Sequence, residues 1–239
     1  MRLDKLLSEC KLATRSETAK LCRAGLITVN GEAVRSSDRQ VDPDRDRVVV
    51  RGESVEYSKF VYVMLNKPDG YISATADGRD PVVTELLPEK YQKMGLFPCG
   101  RLDKHTLGLM LLTNDGELSH RLLAPKNHVA KSYGFSVKFP LKDADVQCLE
   151  SGVDIGEYVT KPCRVMRDTP TDGIITITEG KYHQIKRMME AVENKITALE
   201  RLTFGPLKLD ENLARGEWRL LTAEEKDALL NAVQKRRNN

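Results

Sequence analysis

Few stretches limit what this chain can become as tightly as GRLDKHTLGLMLLTNDGELSHRL, positions 100–122. Its centre, MLLT, follows a glycine and carries no charge, the pattern of a buried strand. Upstream stand Arg101, Lys104 and His105, with one carboxylate, Asp103, among them. Downstream, Asn114-Asp115-Gly116 reads as turn chemistry, and a polar, amphipathic stretch follows it. A lone carboxylate in a basic setting at the mouth of a buried strand has two readings. It is a loop residue that hydrogen-bonds its own backbone, the commonest fate of an Asp, or it is a reactive group.

Several other chemistries fall away. The five cysteines, Cys10, Cys22, Cys99, Cys148 and Cys163, are scattered and never spaced as C-x-x-C, so reduced thiols are expected rather than disulfides or a zinc site. The four histidines form no ligand pair at helical spacing, and no metal is expected. No Walker-type or dinucleotide glycine pattern occurs. No Cys or Ser has an evident His partner. Asp103 and Asp115 could in principle make a two-carboxylate hydrolase, but Asp115 reads as a turn residue. What remains is chemistry that one Asp performs without a metal. The net charge of +3 permits a nucleic-acid partner without requiring one. No apolar run approaches the ~20 residues of a membrane span, and MRLDKLLSEC lacks the apolar core of a signal peptide. A cytoplasmic protein without a membrane partner is expected.

The first 58 residues read as a separate unit. Leu3, Leu6, Leu7 and Cys10 recur at helical spacing. Thr14 with Glu17 gives a capping box for a second helix, and Gly25 gives its left-handed stop. LITVNGEAV is a hairpin around Asn30-Gly31, and Val48–Val50 is a further strand. Arg2, Lys5, Arg15, Lys20 and Arg23 form either a solvated charged face or a track for a phosphate backbone. RLDKLL, RSETAKLCRAGLITVNGEAV and DRVVVRG together resemble an S4-like RNA-binding domain, which implies that this helix and hairpin face structured RNA.

ESVEYSKF reads as a short joint, and 59–239 as the larger body. VYVMLNKPDGYISAT suggests a strand, a turn and a second strand, while KSYGFSVKF, GIITITEG and ALERLTFGPL are further strands. DADVQCLESG, YHQIKRMMEAVEN and TAEEKDALLNAVQKRR suggest helices, the last capped by Thr222 and Glu225, with QKRRNN as a fraying end. Strands and helices intermix without regular alternation. The expected fold class is α+β: a small N-terminal domain, then a mixed, mainly antiparallel β-sheet with flanking helices.

GRLDKHTLGLMLLTNDGELSHRLLAP resembles the catalytic motif of pseudouridine synthases of the RsuA type. The likeness continues in YVMLNKPDGYISAT, HVAKSYGFSV, EGKYHQIKRMMEAV, LERLTFGPLKLD and GEWRLLT. It implies breakage of the N1–C1′ bond of a uridine in RNA and its rejoining through C5, with no cofactor or metal. Asp103 would be the indispensable carboxylate, whether it attacks the sugar, adds to the base or removes a sugar proton. The resemblance assigns its cationic partner to Lys186, with Arg187 as the close alternative. Tyr133 would pack against the uracil ring, and Leu199 would close the pocket. Arg101 would orient the motif or hold a phosphate, and Thr106 with Gly108 would shape the loop.

Within the family, MRLDKLL, the compact C-terminus and GPLKLDENLARGEWRLLTAEE look most like the branch acting on small-subunit (16S) ribosomal RNA or its assembly intermediate. Large-subunit (23S) RNA is the alternative target. An inert S4-type RNA-binding or ribosome-assembly protein and an RNA N-glycosidase are alternatives of another class. A monomer is expected, since asymmetric RNA imposes no two-fold partner.

Overall fold

The computed structural model describes residues 1–55 and 57–234. The last residues of the expected frayed end, 235–239, lie outside it. The chain divides into two compact units, one of Met1–Val61 with Pro88–Gly95, the other of Tyr62–Leu87 with the chain from Leu96 onward.

In the first unit, α1 (Leu3–Glu9) and α2 (Arg15–Arg23) pack with the small sheet β1 (Ile27–Val29), β2 (Glu32–Ala33), β3 (Val48–Val50) and β4 (Glu53–Ser54), in the order β2-β1-β3-β4. Leu3, Leu6, Leu7 and Cys10 share one face of α1 and join Leu21, Cys22, Ile27, Val29 and Val48 in its core. The Thr14–Glu17 capping box forms, with Glu17 N donating to Thr14 Oγ1 at 3.2 Å and Thr14 N to Glu17 Oε2 at 2.7 Å. Asn30 and Gly31 both take positive φ, 55° and 87°, which the hairpin turn requires. The supposed joint is only partly a linker. Glu53–Ser54 pairs with β3, and the Tyr57 hydroxyl donates to Glu9 Oε2 at 2.6 Å; Glu56 of that joint lies outside the described residues. A short helix, α3 (Glu89–Lys93), groups with this unit.

The second unit is built on one sheet. Its strands are β5 (Tyr62–Lys67), β6 (Phe97–Pro98), β7 (Leu107–Thr113), β8 (Lys131–Val137), β9 (Arg164–Arg167), β10 (Asp172–Ile177), β11 (Ile196–Phe204), β12 (Leu207–Lys208) and β13 (Trp218–Leu220). The order is β13-β5-β7-β11-β8-β10-β9, with β12 beside β11 and β6 beside β7. β7 and β11 run parallel; every other pairing is antiparallel. Burial follows the sequence. β5 and β7 are buried almost throughout, matching their unbroken apolar runs, whereas β8 and β10 alternate buried and half-exposed residues. Helices α4 (Gly116–Leu123), α5 (Asp143–Ser151), α6 (Gln184–Ala191) and α7 (Ala223–Gln234) complete it. No helix among the described residues is long and apolar enough to cross a membrane.

Three local expectations are corrected. The second strand after Lys67-Pro68-Asp69-Gly70 does not form, because Ile72 makes a single parallel bridge to Val82 and the chain then bends away. Asn114-Asp115-Gly116 is no free turn. Asp115 is the buried N-cap of α4, taking Leu118 N at 2.9 Å on Oδ1 and the Tyr62 hydroxyl at 2.8 Å on Oδ2. The helix read from Tyr182 begins only at Gln184, since His183 stands in the left-handed region at φ 50°.

Candidate active site

The segment 99–106 joins β6 to β7 and carries Asp103. Its backbone is tied on several sides. Cys99 N donates to Leu111 O at 2.7 Å and Thr106 N to Asp103 O at 3.0 Å. Ser73 Oγ donates to Leu102 O at 2.7 Å and accepts from Leu102 N at 2.9 Å. Lys67, fully buried at the end of β5, aims its ammonium at the carbonyls of Pro68, Lys104 and Thr106, at 3.1, 3.0 and 2.9 Å. Burial in an apolar setting pushes that amine down to about 8; the fields of Asp69 and Asp103 oppose the shift. Lys104 reaches Asp80 at 2.6 Å and His105 reaches Asp69 at 2.9 Å, so neither turns toward Asp103.

Asp103 is thereby fixed with its carboxylate 27% exposed, and Lys186 Nζ meets its Oδ2 at 2.7 Å. His183 Nε2 lies 3.5 Å from Oδ1. Lys186 sits in the first turn of α6, a helix anchored by the buried Gln184, Ile185, Met188 and Met189. Arg187, one residue on, points elsewhere. It donates to the Ile155 carbonyl and lies 3.5 Å from Glu157. Successive helical side chains diverge by about 100°, so only one of the two can face the loop.

Immediately after the loop, Gly108 pairs with Arg201 of β11, and Arg201 pairs with Tyr133 of β8. The approach is close: a Cβ on Gly108, at φ +94°, would stand 2.4 Å from the Arg201 carbonyl oxygen. Buried Arg201 also donates from Nε to Leu109 O at 2.7 Å. Leu199 pairs with Phe135, so Tyr133, Phe135, Leu199 and Arg201 share one face of the sheet. Tyr133 is 7% exposed, and its hydroxyl makes no hydrogen bond among the described residues. Thr106 Oγ1 is buried without a partner there. Arg101 is exposed and makes no ion pair among the described residues. No group of three His, Cys, Asp or Glu among those residues could hold a metal ion.

The sequence reading passed over Lys67, Tyr182 and His183. Lys67 had a signal, a lysine at the end of a strand that opens on the apolar run Tyr62–Leu65. His183 had none, because its left-handed backbone is invisible in a stretch of helical composition.

In the first unit, the basic residues separate into two sets. Arg2 is bound to Asp4 at 2.7 Å and Lys5 lies 3.8 Å from Glu9. Arg15, Lys20 and Arg23 are exposed and carry no ion pair among the described residues, which leaves them for an outside anion.

Comparison with known proteins places the chain in a family. Residues 61–191 match the family model for RNA pseudouridylate synthase, and residues 1–46 match that for the S4 domain. The chain is 46% identical over 230 residues to an uncharacterized RNA pseudouridine synthase of Bacillus subtilis, covering 94% of this chain and 96% of that one. It is 40% identical over 230 residues to ribosomal small subunit pseudouridine synthase A of Yersinia pestis, with the same shares covered. The Escherichia coli protein of that name is 37% identical over 227 residues, covering 94% of this chain and 98% of its own. A crystal structure of a pseudouridylate synthase matches with a TM-score of 0.68 at 34% identity, covering 96% of this chain and 99% of that one.

Proposed function

Given that the chain belongs to the RNA pseudouridylate synthase family, of the RsuA type, we propose that it isomerises one uridine of small-subunit ribosomal RNA. Asp103 is its essential carboxylate, and no cofactor takes part. The observation that carries this reading is the Lys186 ammonium 2.7 Å from Asp103 Oδ2. The pair joins the Asp103 carboxylate, on a loop tied on several sides, to an ammonium carried by α6. A charge-assisted hydrogen bond aims the carboxylate.

The reaction conserves atoms. The N1–C1′ bond breaks, uracil turns, C5 bonds to C1′, and the proton on C5 is lost while N1 gains one. Flipping the uridine out of folded RNA costs a few kcal/mol, which protein contacts must offset. Tyr133 packs against the uracil ring and Leu199 closes the pocket, so that detached base neither escapes nor meets water. Arg101 holds a phosphate beside the flipped nucleotide, Thr106 shapes the loop, and Arg187 fixes the neighbouring segment at Ile155. The region 1–58 selects the RNA, with Arg15, Lys20 and Arg23 meeting its phosphates while Arg2 and Lys5 are engaged by Asp4 and Glu9, and 59–239 performs the chemistry. The protein acts as a monomer in the cytoplasm. The small-subunit target is supported by likeness along nearly the full chain to relatives named for that subunit.

The test is to incubate purified protein with uridine-labelled RNA from each ribosomal subunit, beside an Asp103→Asn control, and map pseudouridine by the carbodiimide block to reverse transcription. One small-subunit site, absent with the Asn variant, is expected. A site in large-subunit RNA would overturn the substrate assignment alone, and RNA binding without any pseudouridine would overturn the catalytic one.

A further inference from the structure

Beside the carboxylate–lysine pair stands a ring with nothing on its outer side. Tyr182 is 70% exposed, more than any other large apolar or aromatic side chain among the described residues. Its inner side is occupied. The Tyr182 and His183 rings stack with centroids 3.9 Å apart and planes 17° from parallel. His183 in turn reaches Asp103 Oδ1 at 3.5 Å. Two stacked rings therefore run from solvent to the candidate catalytic carboxylate.

The chain around the stack is tied by hydrogen bonds. Lys181 N donates to Gln184 Oε1 at 2.9 Å, Gln184 Nε2 to Glu179 Oε1 at 2.8 Å, and Lys161 N to the same oxygen at 2.9 Å. His183 keeps a left-handed backbone that a non-glycine residue adopts only at a cost, about 1 kcal/mol or more. Two lysines of this bonded cluster find uncharged partners. Lys181 lies over the Tyr158 ring at 4.9 Å and Lys161 sits 3.3 Å from His128 Nδ1, and neither has a carboxylate partner among the described residues. An exposed aromatic face in a basic segment is a surface that can stack on a base of single-stranded nucleic acid.

We propose that the outer face of Tyr182 stacks on a nucleobase of the substrate RNA next to the flipped uridine, and that His183 links this stack to Asp103. The inference rests on the RNA-modifying function above and extends it to the flanking nucleotide. Removing a uridine from its stack leaves its neighbour without a partner on one side, and Tyr182 supplies the missing surface. In this role Tyr182 binds RNA, and His183 is a positioning residue for Asp103.

The test has a binding arm and a turnover arm. In the first, Tyr182→Trp is placed in the Asp103→Asn protein and its emission is followed as transcripts of each ribosomal RNA are added; the Asp103→Asn parent supplies the background of Trp218. Stacking on a base quenches the new indole. In the second, KM and kcat are measured for Tyr182→Ala, Tyr182→Phe and His183→Asn. The expected result is a KM raised at least tenfold in Tyr182→Ala with its melting temperature unchanged, and substantial recovery in Tyr182→Phe, which keeps the ring. His183→Asn, which tolerates the left-handed backbone, is expected to lower kcat and leave KM near that of the native protein. Indole emission unchanged in RNA-bound protein, or Tyr182→Ala with native KM, overturns the proposal while leaving the pseudouridine synthase reading intact. Absence of pseudouridine with the native protein would sink that reading instead, and the emission arm still decides the stacking site.

Discussion

Lys186 Nζ stands 2.7 Å from Asp103 Oδ2, while Arg187, the next residue of α6, is bound to the 155–157 segment. One helical step separates the cation that serves the carboxylate from one that serves the scaffold. Asp103→Asn is expected to abolish turnover. Lys186→Met is expected to lower kcat by about 10²- to 10³-fold, the usual cost of removing a charged partner at a reacting centre. Its melting temperature should hardly change, since partly exposed ion pairs contribute little to stability. A Lys186→Met protein with native kcat would show that the pair is ornamental.

Lys67 makes the loop sensitive to alkaline pH. Its amine, pushed down to about 8, is charged at neutral pH and loses its proton as the pH rises through that value. The neutral amine has one donor fewer for the three carbonyls it holds. Activity should therefore fall above about pH 8. Stability moves oppositely. The folded value lies below the unfolded 10.5, so between about 8 and 10.5 the unfolded chain holds more protons, and this group's contribution to stability rises with pH. Rate profiles of native and Lys67→Met protein check this; an alkaline limb that persists in the variant assigns it to another group.

Gly108 and Gly116 should respond to alanine in opposite directions. At Gly108 the left-handed backbone and the Arg201 carbonyl 2.4 Å from a new Cβ force β7 and β11 apart, with an expected loss of about 3 kcal/mol or more. At Gly116, the first residue of α4, a Cβ meets nothing within 4 Å and helix propensity gains up to about 1 kcal/mol. Denaturant midpoints of the two variants measure both signs.

Asp115 and Tyr62 are coupled across β5 and α4. Asp115→Ala removes a helix cap and strands a buried hydroxyl, for an expected cost of about 2–4 kcal/mol. Burial beside this carboxylate already holds the Tyr62 hydroxyl well above its ordinary value. Combined with Tyr62→Phe, the two losses should fall short of additive by about 1 kcal/mol. Strict additivity would mean that their 2.8 Å contact contributes nothing.

Arg15, Lys20 and Arg23 should each act as phosphate contacts. Replacing any one by Gln is expected to weaken binding evenly across RNA sequences and to reduce the slope of log K against log salt by about one. Filter binding at several salt concentrations gives the slope, and an unchanged slope returns that residue to the solvated face.

By itself, the sequence indicated most of the elements and the family motif around Asp103. The strands β5, β7, β8 and β10 stood out as apolar or β-rich runs. Asn30-Gly31 made the hairpin, and Thr14 with Glu17 capped α2, because each of these depends on neighbours a few residues apart. Tertiary structure decided most of the meetings between distant groups. The choice of Lys186 over Arg187 hangs on the rotation of α6 against the sheet. Lys67 reaches Thr106 from 39 positions away, and β5 brings the Tyr62 hydroxyl onto the second oxygen of the Asp115 cap. The left-handed turn that swings His183 toward Asp103 leaves no mark in local composition. Such pairings follow from strand register and helix rotation, which a one-dimensional pattern does not contain.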